Sequence, residues 1–489
     1  METAYTPRWP GIRWAIRHAA ASPIERFALA EAQRLVQRQV PYLVRVEAAA
    51  EDPAGHADHL LLLGTPAASP RVRELCERWN LTVPEAPGSY LLACRPSPWN
   101  PGRTVLLAAG RDAAGVLYGV EDLAARVVGI GTADPKAWGS QRALDGVAPF
   151  ANAGTPRIGR RGIWSWGYVV YDHRRFIDAM ARLRMNALTL WNDVPPENAA
   201  DVVAHARDRG IEVVWGFHWG WGIGGFDLAD PDHVAWVRRT VLDTYERTYA
   251  GIPHDGIYFQ TATEVRDTLS GGVPIARLAR NLANDVGRAL LERHPDLRIQ
   301  FGLHATSVLD HCGELEELDP RISIVWEDAG VIPWSYVPAS ELSGSPLGTV
   351  DATIAYGRRL AALRGRAELA MVAKGFTALR WDTEFEHHGP FLLGERSPAW
   401  IRRRLAERRP IWDRADGLWM SNWPHASRFF REALAEGPRS TDVRALVEDG
   451  LLEERIAPSI ALFANLLWDP LADGRDLPAL AHSPWYAED

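Results

Sequence analysis

Between residues 157 and 430 the chain alternates two kinds of hydrophobic pattern. Short, nearly continuous apolar runs occur at Ile158–Trp166, Ala187–Trp191, Ile211–Phe217, Gly256–Phe259, Leu297–Leu303 and Ile322–Trp326, then within Leu369–Trp381 and at Gly417–Met420. Such runs read as strands buried on both faces of a parallel sheet. Between them lie longer amphipathic stretches with apolar positions three and four apart: Asp172–Leu183, Glu197–Arg209, Asp230–Tyr249, Val273–His294, Thr349–Leu363 and Pro398–Trp412. These read as helices. Eight strands alternating with helices predict an α/β fold of the (β/α)8 TIM-barrel type.

Residues 1–150 show a different rhythm. Pro23–Gln39 is helical, and strands are expected at Leu60–Gly64, Tyr90–Cys94 and Thr104–Ala109. Helices are expected at Pro70–Trp79 and Asp112–Val127. That order predicts a small α+β domain. Gly129–Pro156, rich in small residues, reads as a linker. The barrel is assigned to 157–430, and 431–489 to a helical C-terminal extension with amphipathic stretches at Val443–Glu454 and Pro458–Leu467.

In a β/α barrel the chemistry sits where strands end and loops begin. Polar residues gather at those points here. Strand one ends in Trp164 and Trp166, strand two in Trp191, Asn192 and Asp193, and strand three in His218 and Trp219. Strand four ends in Gln260 and Glu264, strand five in His304, and strand six in Trp326, Glu327 and Asp328. Strand seven ends in Trp381, Asp382 and Glu384, and strand eight in Trp419 and Asn422. Glycoside hydrolysis needs two carboxyl groups flanking the bond, one protonated and one ionised. Glu264 is the expected acid, its proton held by burial among aromatic rings. Capping the next helix or pairing with Arg266 is the structural alternative. Glu327, Asp328, Asp382 and Glu384 all qualify by position for the second carboxyl, with Asp382, directly after Trp381, the first choice and Glu327 the next. The remaining residues are expected substrate ligands, although Asp193 serves equally well as a helix cap.

Composition sharpens this. The 21 Trp against 12 Tyr and 13 Phe supply broad flat faces of the kind on which sugar rings pack. A net charge of -8 argues against a nucleic-acid partner. Three cysteines, Cys76, Cys94 and Cys312, form no disulfide framework or metal-ligand pattern, and no His pair has zincin spacing. No metal or cofactor is expected. No apolar leader opens the sequence and no run reaches membrane-spanning length, which predicts a cytoplasmic enzyme without a membrane partner. Gly220–Gly225 lacks the helix start and acidic partner of a dinucleotide loop. Homo-oligomerisation is compatible with the sequence but not readable from it.

Tyr90-Leu-Leu-Ala93 together with Ala113-Ala-Gly-Val-Leu-Tyr-Gly119 resembles the small domain preceding the barrel in family 20 hexosaminidases and bacterial α-glucuronidases. Arg161-Gly-Ile163 and Phe176–Leu190 resemble the first barrel unit of the hexosaminidases. The resemblance implies an exo-acting glycosidase acting on a small carbohydrate and carries the acid over to Glu264. It departs at Thr263, where the hexosaminidases have an Asp that orients the substrate acetamido group. A lone Glu after a hydroxyl residue is closer to the α-glucuronidase arrangement. A catalytically silent carbohydrate-binding barrel and a metal-dependent sugar isomerase or lyase are the alternative readings.

Overall fold

The computed structural model describes residues 12–48, 58–131, 135–329, 347–363, 368–376, 390–435, 440–448, 450–452 and 456–487. Two units are distinguishable, one of Met1–Pro156 with Ser483–Asp489 and one of Arg157–His482.

The first unit is built on a six-stranded sheet. Its strands are β1 (Trp14–His18), β2 (Arg45–Ala48), β3 (His59–Gly64), β4 (Tyr90–Pro96), β5 (Thr104–Gly110) and β6 (Phe150–Gly154), in the spatial order β2-β1-β3-β5-β4-β6. β1, β2, β3 and β5 run parallel, while β4 is antiparallel to β5 and β6. Helices α1 (Pro23–Gln39) and α2 (Pro70–Trp79) begin as their sequences dictate. Ser22 and Glu25 close a capping box before Pro23, and Ser69 caps α2 before Pro70. The segment expected to be a linker contains β6. That strand is an edge of small, largely exposed residues with no apolar alternation to betray it. Gly154 is obligatory there, because a Cβ would lie 2.3 Å from the Tyr90 ring.

The second unit is a closed barrel of eight parallel strands: β7 (Arg160–Trp166), β8 (Ala187–Trp191), β9 (Glu212–His218), β10 (Ile257–Gln260), β11 (Ile299–Leu303), β12 (Ile322–Ala329), β13 (Glu368–Ala373) and β14 (Ser440–Leu446). Closure is made by β14 against β7, with Asp442 opposite Arg160 and Leu446 opposite Trp164. Helices α3 (His173–Arg182), α4 (Ala199–Arg207), α5 (Pro231–Thr244), α6 (Ile275–Arg293), α7 (Val350–Ala362), α8 (Pro398–Leu434) and α9 (Ala457–Trp468) accompany the strands. Among the described residues no helix is long and apolar enough to cross a membrane.

Seven strands lie where the hydrophobic runs place them; the eighth does not. Gly417–Met420 is part of α8, whose buried residues Trp412, Ala415, Trp419, Ala426, Phe429, Phe430 and Ala433 follow a helical period. The two prolines inside it, Pro410 and Pro424, imitate element boundaries without ending the helix. The true eighth strand is Ser440–Leu446, expected to be helical extension. Asp442 and Arg444 are both buried and joined at 2.9 Å, and Gln300 donates to Asp442 Oδ2 at 2.9 Å. Charge inside the barrel breaks the apolar run that marks the other strands.

Strand alternation decides which side chains enter the barrel. On β10, Tyr258 and Gln260 point inward, while Phe259 stacks outward between Trp219 and Phe301. Two inward glycines make room for bulky neighbours. A Cβ on Gly302 would meet the Tyr258 hydroxyl at 1.8 Å, and one on Gly216 would meet the Trp191 ring at 2.9 Å.

Candidate active site

The C-terminal mouth of the barrel carries an aromatic wall contributed by adjacent strands. Trp164 lies 4.6 Å from Trp166, 6.0 Å from Trp191 and 6.0 Å from Tyr258, centroid to centroid. Trp191 meets Trp221 edge-on at 5.7 Å. The wall thus runs outward from the β7–β8 floor to the loop after β9. The buried Trp164 indole N–H has no hydrogen-bond partner among the described residues and is a donor available to a ligand hydroxyl.

Opposite in character is a polar cluster on β10, β12 and the end of β13. Glu327, inward on β12, is 1 % exposed. The Tyr258 hydroxyl donates to its Oε2, and Lys374 Nζ stands 3.3 Å from its Oε1. A buried carboxylate requires such compensation. Gln260 in turn donates to the Tyr258 oxygen at 3.4 Å. Burial, reinforced by the Glu327 charge, pushes the Tyr258 phenol well above its ordinary range, so it remains a donor.

Glu264 lies on the rim, four residues past the end of β10, and its side chain is 55 % exposed. The expected burial among aromatic rings is therefore absent: the turn Thr261–Thr263 lifts the residue out of the interior. It is nevertheless held. Trp221 Nε1 donates to Glu264 Oε2 at 3.0 Å, and His304 Nε2 faces the same oxygen at 3.7 Å. Burial, and secondarily the Lys374 charge, push the His304 imidazole down to about 3. At neutral pH that contact is consequently not an ion pair. Thr263 Oγ1 lies 3.4 Å from His304 Nδ1 and accepts from the His304 backbone N–H at 3.2 Å, and Ser307 donates to the Thr263 carbonyl at 2.5 Å. If the Thr263 hydroxyl donates to Nδ1, the ring carries its proton on Nε2, toward Glu264. Thr263 itself is completely buried, engaged with the β11 loop.

The expected site residues divide into five groups. Trp164, Trp166, Trp191, Gln260, Glu264, His304 and Glu327 come together at the mouth. Asn192 is fully buried, with Oδ1 accepting from the Gly167 N–H at 3.1 Å, and so shapes the β7 loop. Asp193 and His218 face one another beside a separate cavity of about 50 Å³ that Phe217 and Trp236 also line. Four residues point elsewhere. Trp219 stacks on Phe259 at 3.6 Å behind the strands. Trp326 packs outward against Tyr356 of α7 and Phe429 of α8. Trp419 and Asn422 belong to α8, with the Trp419 indole donating to the Gly375 carbonyl at 3.1 Å. Trp381, Asp382, Glu384 and the Asp328 side chain lie outside the described residues. Three residues of this arrangement were not among the expected ligands: Trp221, although it reads as the end of strand three, Tyr258 and Lys374. Tyr258 was legible as the inward neighbour of Gln260 two residues on, and Lys374 as a lone charge closing a buried apolar strand.

No family model matches the chain, and no curated protein is similar to it. Among solved structures it is similar to CpGH84B, at 10% identity over 96% of this chain and 70% of that one, with a TM-score of 0.51. It is also similar to CpGH84D, at 13% identity with a TM-score of 0.42, covering 75% of this chain and spanning 57% of that one. The former likeness shows a barrel fold like that of a GH84 glycoside hydrolase. It singles out neither the family 20 hexosaminidases nor the α-glucuronidases.

Proposed function

We propose that this chain is an exo-acting glycoside hydrolase. The observation carrying that reading is one barrel mouth that combines two carboxyl groups, Glu264 on the rim and Glu327 inside, with the Trp164–Trp191–Trp221 wall. In the proposed reaction a sugar packs on the indoles and Glu264 gives its proton to the glycosidic oxygen as the bond to the anomeric carbon breaks. The new bond to that carbon forms from water activated by an ionised carboxylate, or from that carboxylate itself. Glu327 is the leading candidate for this second group, with Asp382 the alternative. A bound sugar would cover the half-exposed Glu264 carboxyl.

The setting of Thr263 bears on the substrate. Its side chain is occupied within the β11 loop, so the residue preceding the acid does not orient an acetamido group, and a reaction without substrate assistance is favoured. The enzyme is read as cytoplasmic, needing no cofactor, nucleic acid or membrane.

One observation favours the carbohydrate-binding alternative: Glu327 already accepts from Tyr258 and stands 3.3 Å from Lys374. Aryl and alkyl glycosides of the common hexoses, xylose and glucuronate decide between the two. Turnover by the wild type, unaffected by a chelator and lost on alkyl glycosides in Glu264→Gln, is expected. Binding without turnover would instead establish a silent barrel, and chelator-sensitive activity would favour the metal-dependent one.

A further inference from the structure

We infer that the leaving group accepted by this site is apolar, an alkyl or aryl aglycone rather than a second sugar. The inference rests on the assignment of Glu264 as the acid, because the atom that Glu264 protonates is the first atom of the leaving group. Whatever surrounds Glu264 on its solvent side is therefore what the leaving group touches. Val265, its immediate neighbour, is 41 % exposed, and Leu269 at the start of the following hairpin is 49 % exposed. That hairpin is tied to the loop after β9 by Ser270, whose hydroxyl donates to Asp227 at 2.6 Å. The same loop sends Trp221 to Glu264, and the Trp191–Trp221 contact makes the apolar path continuous from the sugar wall to the rim.

The large apolar side chains exposed among the described residues are Leu43, Val194, Trp236, Val265, Leu269, Leu392 and Leu471. Val194 follows β8, and Val265 and Leu269 follow β10, whereas Trp236 is part of α5, Leu43 belongs to the first unit and Leu471 follows α9. Scattered exposed apolar residues are ordinary, so what bears on the leaving group is the pair that flanks the acid on its own loop, Val265 and Leu269. Arg266 and Asp267, also exposed, stand between Val265 and Leu269, and they are the groups through which a polar aglycone would be recognised instead.

The test uses the full chain and matched methyl, n-octyl (below its micelle concentration) and disaccharide glycosides of glucose, galactose, xylose, N-acetylglucosamine and glucuronate. For the sugar that is hydrolysed, kcat/KM should rise roughly 10-fold or more from methyl to n-octyl through a lower KM, each buried methylene adding to affinity. In Leu269→Ser and Val265→Ser that octyl-to-methyl ratio should fall toward one. Because it is a ratio within each variant, a general loss of activity cancels. No chain-length dependence in the wild type, a ratio unchanged in both variants, or a disaccharide preferred over the octyl glycoside would overturn the inference. If no glycoside is hydrolysed, the hydrolytic reading fails alone. Calorimetric affinities for n-octyl against methyl glycosides in the same proteins then decide the apolar rim separately.

Discussion

Among the described residues two carboxylate–cation clusters inside the barrel differ in a way that separates support from chemistry. In the first, Asp442 is gripped by both Nε and a terminal nitrogen of Arg444 at 2.9 Å and capped by Gln300, with both charged side chains almost wholly buried. In the second, Glu327 accepts from the Tyr258 hydroxyl and stands 3.3 Å from the ammonium of Lys374, which is 22 % exposed. A planar fork on a carboxylate fixes geometry, whereas an ammonium on a flexible stem neutralises charge and leaves the carboxylate freer to change partners. The Asp442 cluster therefore fixes the interior face of β14 and, through Gln300, ties it to β11. The Glu327 cluster lies beneath the rim acid, where a reacting sugar would sit.

The largest effects should break this contrast in opposite senses. Glu327→Gln should lower kcat/KM by about 10²- to 10⁴-fold, while its unfolding midpoint stays near the wild-type value because the amide preserves the shape. Asp442→Ala strands Arg444 in the interior and should cost about 3–5 kcal/mol of stability, read by denaturant unfolding. Comparable stability losses in both variants would erase the distinction.

A smaller effect concerns His304. Its folded-state value, about 3, lies below the 6.5 of the free side chain. Between those values the unfolded chain binds the proton and the folded one does not. The contribution of His304 is thus fully present above about 6.5 and is lost as pH falls toward 3. His304→Gln should flatten that part of the stability profile, measured as the unfolding midpoint across pH 3–7. An unchanged slope would mean that His304 is not held neutral between Thr263 and Glu264.

The contrast also explains what was legible in the sequence. Strands buried on both faces appear as apolar runs, so β7 to β13 were readable, whereas β14 was hidden by the Asp442 and Arg444 that give it its role. Residue type at strand ends was readable, but direction was not. Trp326 and Glu327 are neighbours in sequence and lie on opposite faces of β12, so the indole belongs to the helix layer and the carboxylate to the interior. Trp219 and Trp221 divide in the same manner. The exposure of Glu264 depends on how far a loop carries it beyond β10, a distance that periodicity does not encode. Tyr258 was absorbed into an apolar run although its hydroxyl is the donor that fixes Glu327.

The leaving-group dependence of Glu264→Gln tests the central claim most directly. If Glu264 is the proton donor, the variant should lose about 10²- to 10⁴-fold in kcat/KM on methyl glycosides, whose alkoxide needs protonation. It should lose little on 2,4-dinitrophenyl glycosides of the same sugar, whose leaving group departs unassisted. An equal loss on both substrates, or no loss on either, would contradict Glu264 as the acid.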